Sequence, residues 1–183
     1  MVDRNGAVAV APPAAIVDEV DTGTARMSDA AAETRIAASP ERPVLRQEQG
    51  TVSVRTRGQG LYDVTPFVRG WLVGKDISTG LLTVFCRHTS ASLIVQENAD
   101  ADVQRDLLTF FRRLVQEGRG LYRHLTEGPD DMPAHLRSVL TLTQLSIPIG
   151  GGQLTLGTWQ AIYLFEHRSG PQNRELALHV IGA

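Results

Sequence analysis

The chain has 183 residues, 42% of them apolar and 21% charged, with a formal net charge of -2. That length fits one domain with a tail, and the near-neutral balance removes the electrostatic case for a nucleic-acid or anionic-membrane partner, since both favour a basic patch. Cys86 is the only cysteine, which excludes an intrachain disulfide and favours a reducing, cytoplasmic setting.

Residues 1–43 are rich in Ala, Pro, Asp and Glu, hold no aromatic residue and show no lasting hydrophobic period. They read as a flexible extension, and residues 44–183 as a single domain. The N-terminus lacks a basic segment followed by an apolar core, so no signal peptide is expected. No apolar run approaches the roughly 20 residues that span a bilayer.

From Thr51 the pattern changes. Val52, Val54 and Thr56 alternate with Ser53, Arg55 and Arg57, which predicts a strand. Thr65 as cap and Pro66 as first residue open a short helix with Phe67, Val68, Trp71 and Leu72 on its apolar side, stopped by Gly74. Leu81 to His88 is the next strand, followed by a short apolar run from Leu93 to Val95. Val103, Leu107, Phe110, Phe111 and Leu114 predict the main helix over 99–116, with Asn98 as cap and Asp100 and Asp102 in its first turn. A second short helix is expected to begin at Pro133. Strands over 143–149, 154–166 and 174–181 complete the chain, the first two joined through Gly150-Gly151-Gly152 as a hairpin. One main helix and short flanking helices against alternating strands imply an α+β fold, mostly an antiparallel β-sheet sandwich. No Gly-x-Gly-x-x-Gly fingerprint supports a Rossmann domain.

The segment from Tyr122 to His135 is the densest in chemistry. It holds His124, Glu127, Asp130, Asp131 and His135, interrupted by Gly128, Pro129 and Pro133. Imidazoles and carboxylates together suit a divalent cation or paired acid–base work. The imidazoles favour zinc and other borderline metals, whereas the acids favour magnesium. The competing account is a solvated loop whose acids cap the following helix. His88, at a strand end before Thr89 and Ser90, is a further candidate, its alternative a core-edge imidazole bonded to a carbonyl. Cys86 reads as a small buried hydrophobe. Glu97 lies just outside the main helix, while Asn98 and Asp100 are explained by capping alone. Trp159, Tyr163 and His167 share one strand face and offer an aromatic wall or a subunit contact; Thr158, Gln160 and Glu166 share the other. Arg168 and Arg174 bracket the Gly170-Pro171 turn, as anion ligands or as ordinary surface charges.

Several segments together resemble the YjbQ family. They are Cys86-Arg87-His88-Thr89-Ser90-Ala91-Ser92-Leu93, Gln96-Glu97-Asn98-Ala99-Asp100, Tyr122-Arg123-His124, Glu127-Gly128, Asp130-Asp131-Met132-Pro133-Ala134-His135, Gly157-Thr158-Trp159-Gln160 and Glu166-His167-Arg168. The likeness runs over about 44–182. Ala161 stands where many relatives have glycine, and Gln96 where many have asparagine. The resemblance implies a compact α+β unit, a homotrimer with polar pockets near subunit boundaries, and a secondary thiamine phosphate synthase activity. Such an enzyme joins a pyrimidine methyl diphosphate to a thiazole phosphate and releases diphosphate. By position it implies His88, Glu97, Asp100, His124, Asp131 and His135 as catalytic candidates, with His88, His124 and His135 as metal ligands. Thr89, Ser90, Asn98, Trp159 and Gln160 become substrate-binding candidates. Two other functions remain open: a metal-dependent hydrolase or lyase acting on a small phosphorylated or heterocyclic metabolite, and a non-enzymatic small-ligand-binding or assembly protein.

Overall fold

The computed structural model describes residues 44–118 and 120–183; the extension expected over residues 1–43 lies outside the described residues. Among the described residues, eight strands and three helices follow the order β1 (Arg46–Thr56), β2 (Gly60–Asp63), α1 (Thr65–Leu72), β3 (Thr79–Cys86), β4 (Ala91–Glu97), α2 (Ala101–Leu114), α3 (Asp131–Val139), β5 (Gln144–Gly150), β6 (Gln153–Leu154), β7 (Gln160–Glu166) and β8 (Gln172–Gly182). They form a five-stranded sheet, β1-β8-β3-β5-β6, and a three-stranded sheet, β2-β7-β4. Every named pairing is antiparallel. This is the α+β sandwich that the alternation predicts.

The core lies between the sheets. Val52, Val54, Leu82, Val84, Ile147, Leu176, Leu178 and Val180 of the larger sheet meet Leu93, Ile162 and Leu164 of the smaller one. Burying each such side chain is worth about 1.5–3 kcal/mol. Alternation along β7 decides what each residue meets. Ile162 and Leu164 join this core, whereas Phe165 packs edge-on against Phe111 of α2, with ring centroids 5.2 Å apart. One charged link crosses the sandwich. Arg174 of β8 grips the Glu166 carboxylate through Nε at 2.7 Å and Nη2 at 2.6 Å, and the Thr56 hydroxyl donates to it at 2.9 Å. Glu166 is fully buried and Arg174 nearly so, so neither stands ready for an external anion.

Several boundaries differ from those expected. The predicted strand over 154–166 is two strands in different sheets, because the chain crosses from β6 to β7 between them. Gln160 holds the turn by accepting the Gly157 N–H on its own side chain at 2.8 Å. The short strand β2 carries too few residues to show a period. Helix α2 starts at Ala101, and its N-cap is Asp100, which accepts the Asp102 N–H at 2.8 Å; Asn98 is outside the helix. Val64 occupies the N-cap of α1, and Thr65 Oγ1 instead accepts the Ile162 N–H at 2.8 Å. Phe110 and Leu114 of α2 are more than half exposed, so the sheet-facing stripe is Val103, Leu107, Leu108 and Phe111. Among the described residues, no helix is long and apolar enough to cross a membrane.

Candidate metal centre

Helix α3 begins at Asp131, two residues before the expected Pro133. Proline is tolerated there because first-turn N–H groups have no intrahelical partner. The earlier start places Asp131 and His135 four residues apart on one helical face. Asp131 Oδ2 then lies 3.2 Å from His135 Nε2 and 2.8 Å from His124 Nε2. His124 comes from the loop preceding α3, where Gly128 takes φ +113°, a backbone region that favours glycine.

Arg168, two residues beyond β7, holds this loop and helix end together. Its Nε donates to Asp130 Oδ2 at 3.0 Å, Nη1 donates to Asp131 Oδ1, and Nη2 donates to the Glu127 carbonyl. The Ser169 N–H adds a bond to Asp130 Oδ2 at 2.8 Å. Burial alone would raise the Asp130 carboxyl, yet the Ser169 N–H and Arg168 hold it below the usual carboxylate range. Asp130 is spent on this clamp and makes no side-chain cap to α3. Arg168 therefore anchors ligand-bearing backbone, a role neither of its sequence-based readings contained. Its position two residues past the end of an apolar strand was the available signal.

The hydrogen bonds of His135 decide what the cluster can bind. Its Nδ1 lies 3.0 Å from the Thr89 carbonyl oxygen, which only accepts, so Nδ1 carries the proton. A neutral His135 then turns a bare Nε2 lone pair toward the Asp131 carboxylate. Two acceptors 3.2 Å apart repel unless a proton or cation lies beside them. A carbonyl that fixes the tautomer of a ligating histidine is the usual outer-shell device of metal sites. His124, Asp131 and His135 each offer one ligand atom, all within 4.8 Å of one another. The cluster can coordinate a divalent metal. Asp131 is buried, while the His124 and His135 side chains are 45% and 31% exposed, leaving the solvent side open.

The remaining candidates separate into two groups. Thr89 and Ser90 lie at the same end as the metal cluster but act through polar contacts already described in part: Thr89 by its carbonyl to His135, Ser90 by its carbonyl and hydroxyl to Arg174. His88 is not in the three-residue cluster. Its Nε2 accepts the Glu175 N–H at 2.7 Å, and burial, reinforced by Arg174, lowers its pKa. That bond occupies one of its two ring nitrogens, and its partner is a backbone N–H where the core-edge account expected a carbonyl. Cys86 is buried, its thiol donates to the Ala91 carbonyl, and burial pushes its pKa up.

Glu97, Asn98, Asp100, Trp159 and Gln160 occupy the opposite end of the small sheet. The register pairs Ala91 with Glu166 at one end and Glu97 with Gln160 at the other, a separation of roughly 20 Å at strand rise. Here the Asn98 N–H donates to the Trp159 carbonyl at 2.9 Å, the Tyr163 hydroxyl reaches the Glu97 carbonyl at 3.3 Å, and the Trp159 residue is 63% exposed.

The family model for UPF0047 YjbQ-like proteins matches residues 50–183. A UPF0047 protein of Synechocystis is 52% identical over 137 residues, covering 75% of this chain and 93% of that protein. The UPF0047 protein YjbQ of Escherichia coli O157:H7 is 40% identical over 121 residues, covering 66% and 87%. A crystal structure of a YjbQ/UPF0047 family protein from Clostridium acetobutylicum has a TM-score of 0.66 at 34% identity, covering 71% of this chain and 98% of that one. A crystal structure of a hypothetical protein from Aeropyrum pernix has a TM-score of 0.68, also at 34% identity, covering 74% of this chain and 99% of that one.

Proposed function

The chain belongs to the UPF0047 YjbQ-like family, and from that premise we propose that it is a metal-dependent enzyme acting on small phosphorylated heterocycles, with secondary thiamine phosphate synthase activity. The observation that carries the reading is the pair of acceptors, His135 Nε2 and Asp131 Oδ2, held face to face by the Thr89 carbonyl and Arg168. Two imidazoles and one carboxylate favour zinc or another borderline ion over magnesium. Three protein ligands with an open side match a catalytic site more closely than a closed structural one.

In the proposed reaction the thiazole nitrogen bonds to the pyrimidine methylene carbon, whose bond to the diphosphate oxygen breaks. The bound ion supplies Lewis-acid stabilisation of the departing oxygens. Asp131, His124 and His135 would hold it, Arg168 keeps the Asp131 carboxylate aimed, and Thr89 keeps Nε2 of His135 free for ligation. Trp159 offers an aromatic face to the positive charge that develops on the pyrimidine.

Trp159 lies at the far end of the small sheet from the ligand set, so we place the complete pocket between copies of the chain in a cytoplasmic homotrimer. The Glu97–Trp159 end of one protomer faces the metal end of its neighbour. Leu81, Phe85 and Ile181, 38–42% exposed on the outer face of the large sheet, are further surface suited to a subunit contact.

Metal analysis followed by turnover assays with the two thiamine precursors tests the reading. Wild type should retain a stoichiometric borderline metal and form thiamine phosphate, and His135→Ala should lose both while staying folded. Mixing His135→Ala with Trp159→Ala protein should restore part of the activity if protomers share the pocket. Equal metal content and turnover in wild type and His135→Ala would sink the proposal.

A further inference from the structure

A polar cavity shares no lining residue with the metal cluster. It measures about 250 Å³ and is lined by Gln59, Arg112, Glu117, Arg137 and Ser169. A narrow extension shares Gln59, Arg112 and Arg137 and is closed by Phe111, Phe165, His167 and Glu166, whose charge is matched by Arg174. Two guanidiniums against one carboxylate leave the outer cavity with a net positive charge. Gln59 fixes this arrangement: its Oε1 accepts from Arg112 Nε at 3.0 Å, and its Nε2 donates to Glu117 at 2.7 Å. Arg137 is held by Glu117 at 3.1 Å and by the Val115 carbonyl at 2.7 Å.

Arg137 and His167 are 3% and 0% exposed, yet Arg137 Nε and His167 Nδ1 have no hydrogen-bond partner among the described residues. An unsatisfied buried polar group costs about 1–3 kcal/mol, so the Arg137 Nε–H beside this cavity calls for an acceptor. His167 Nε2 lies 2.8 Å from Ser92 Oγ, which lies 2.6 Å from Thr141 Oγ1. The one Thr141 proton also reaches the Arg137 and Ser138 carbonyls at 3.0 and 3.2 Å, so this hydroxyl chain accommodates either neutral tautomer of His167. An oxyanion beside Nδ1 selects the Nδ1–H form, which then joins Arg137 Nε–H as a donor, and Arg112 adds a guanidinium at the mouth. Planar guanidiniums match the several oxygens of phosphate better than a spherical halide ion.

We propose that this cavity is an oxyanion site that takes a phosphate group, separate from the metal cluster and built from Arg112, Arg137 and His167. Glu117 is the competing internal anion, which a bound phosphate displaces from Arg137. The site supplies a phosphate cradle that no run of basic residues in the sequence announces.

The test uses the full chain and two probes, inorganic phosphate and glycerol phosphate, each titrated against chloride at equal ionic strength while the ring nitrogens of His167 are followed by ¹⁵N NMR. Saturable binding that shifts the Nδ1 resonance is expected from at least one probe. Tighter binding of the ester assigns the site to a phosphorylated metabolite; tighter binding of the free ion assigns it to inorganic phosphate. Arg112→Gln, on an exposed residue, should weaken binding about tenfold or more without changing metal content, and Glu117→Gln should strengthen it. The absence of saturation with both probes, unmoved His167 nitrogens, or undiminished affinity in Arg112→Gln would overturn the assignment. Metal loss in His135→Ala reads the other site, so either proposal can fail alone.

Discussion

The two ends of the small sheet are built differently. At the Ala91–Glu166 end, side-chain charges are locked to one another: Asp131 to Arg168 and His124, Asp130 to Arg168, Glu166 to Arg174. At the Glu97–Gln160 end, the bonds are backbone and amide contacts around an exposed indole. The first end spends its hydrogen bonds on fixing ligand atoms in place. The second secures its backbone and leaves its indole facing outward. Three side chains able to hold a metal thus stand at one end of the sheet, and an exposed aromatic at the other.

The sharpest attack on that contrast is Asp131→Ala. It removes one arm of the Arg168 fork, which keeps Asp130 and the Glu127 carbonyl, leaves a buried void, and should cost about 1–3 kcal/mol. Denaturant unfolding and metal analysis should both register the loss; unchanged values in both would remove the distinction between the ends. Arg168→Lys is gentler, since it keeps the charge and loses the fork that spans Asp130, Asp131 and Glu127. Metal affinity should fall about 10–100-fold, the range for outer-shell changes, as a competitive chelator titration would reveal.

Acid probes the same end without a substitution. Burial, helped by Arg137 and Arg174, lowers the His167 pKa from 6.5 to about 3. The unfolded chain therefore binds more protons than the folded one between those values. The stability contribution is complete above pH 6.5 and fades as pH falls toward 3. Near the middle of that window chelator-treated protein should lose about 1.4 kcal/mol per pH unit from this residue. Urea midpoints measured across the window should show a shallower slope in His167→Gln. Smallest of all is Trp159→Ala, which should leave stability within about 0.5 kcal/mol, as for other exposed positions, and leave metal content intact. A stability loss like that of Asp131→Ala would show that the indole is a buried support.

The sandwich itself was legible because β3, β5, β8 and the second half of β1 set apolar residues at every second position. Period fails where geometry depends on a distant contact. The stretch over 154–166 is apolar enough for one strand, but its first residues belong to the other sheet, a fact fixed by pairing with β5. The chemical density of 122–135 pointed to the metal cluster. Its geometry was hidden because Pro133 resembled the start of α3, which put Asp131 in a loop and obscured the shared face with His135. Arg168 was underrated for a similar reason: its partners lie 37 to 41 residues away in sequence. The likeness of separate motifs to one family said that they matter together. It did not say that a single chain holds them apart.

Cys86 gives the molecule an internal clock. It is the sole thiol in the chain, is 1% exposed, and stands among the side chains joining the two sheets. A bulky alkylating reagent can reach it only when that seam parts, so the rate of labelling counts openings of the sandwich itself rather than fraying at either rim.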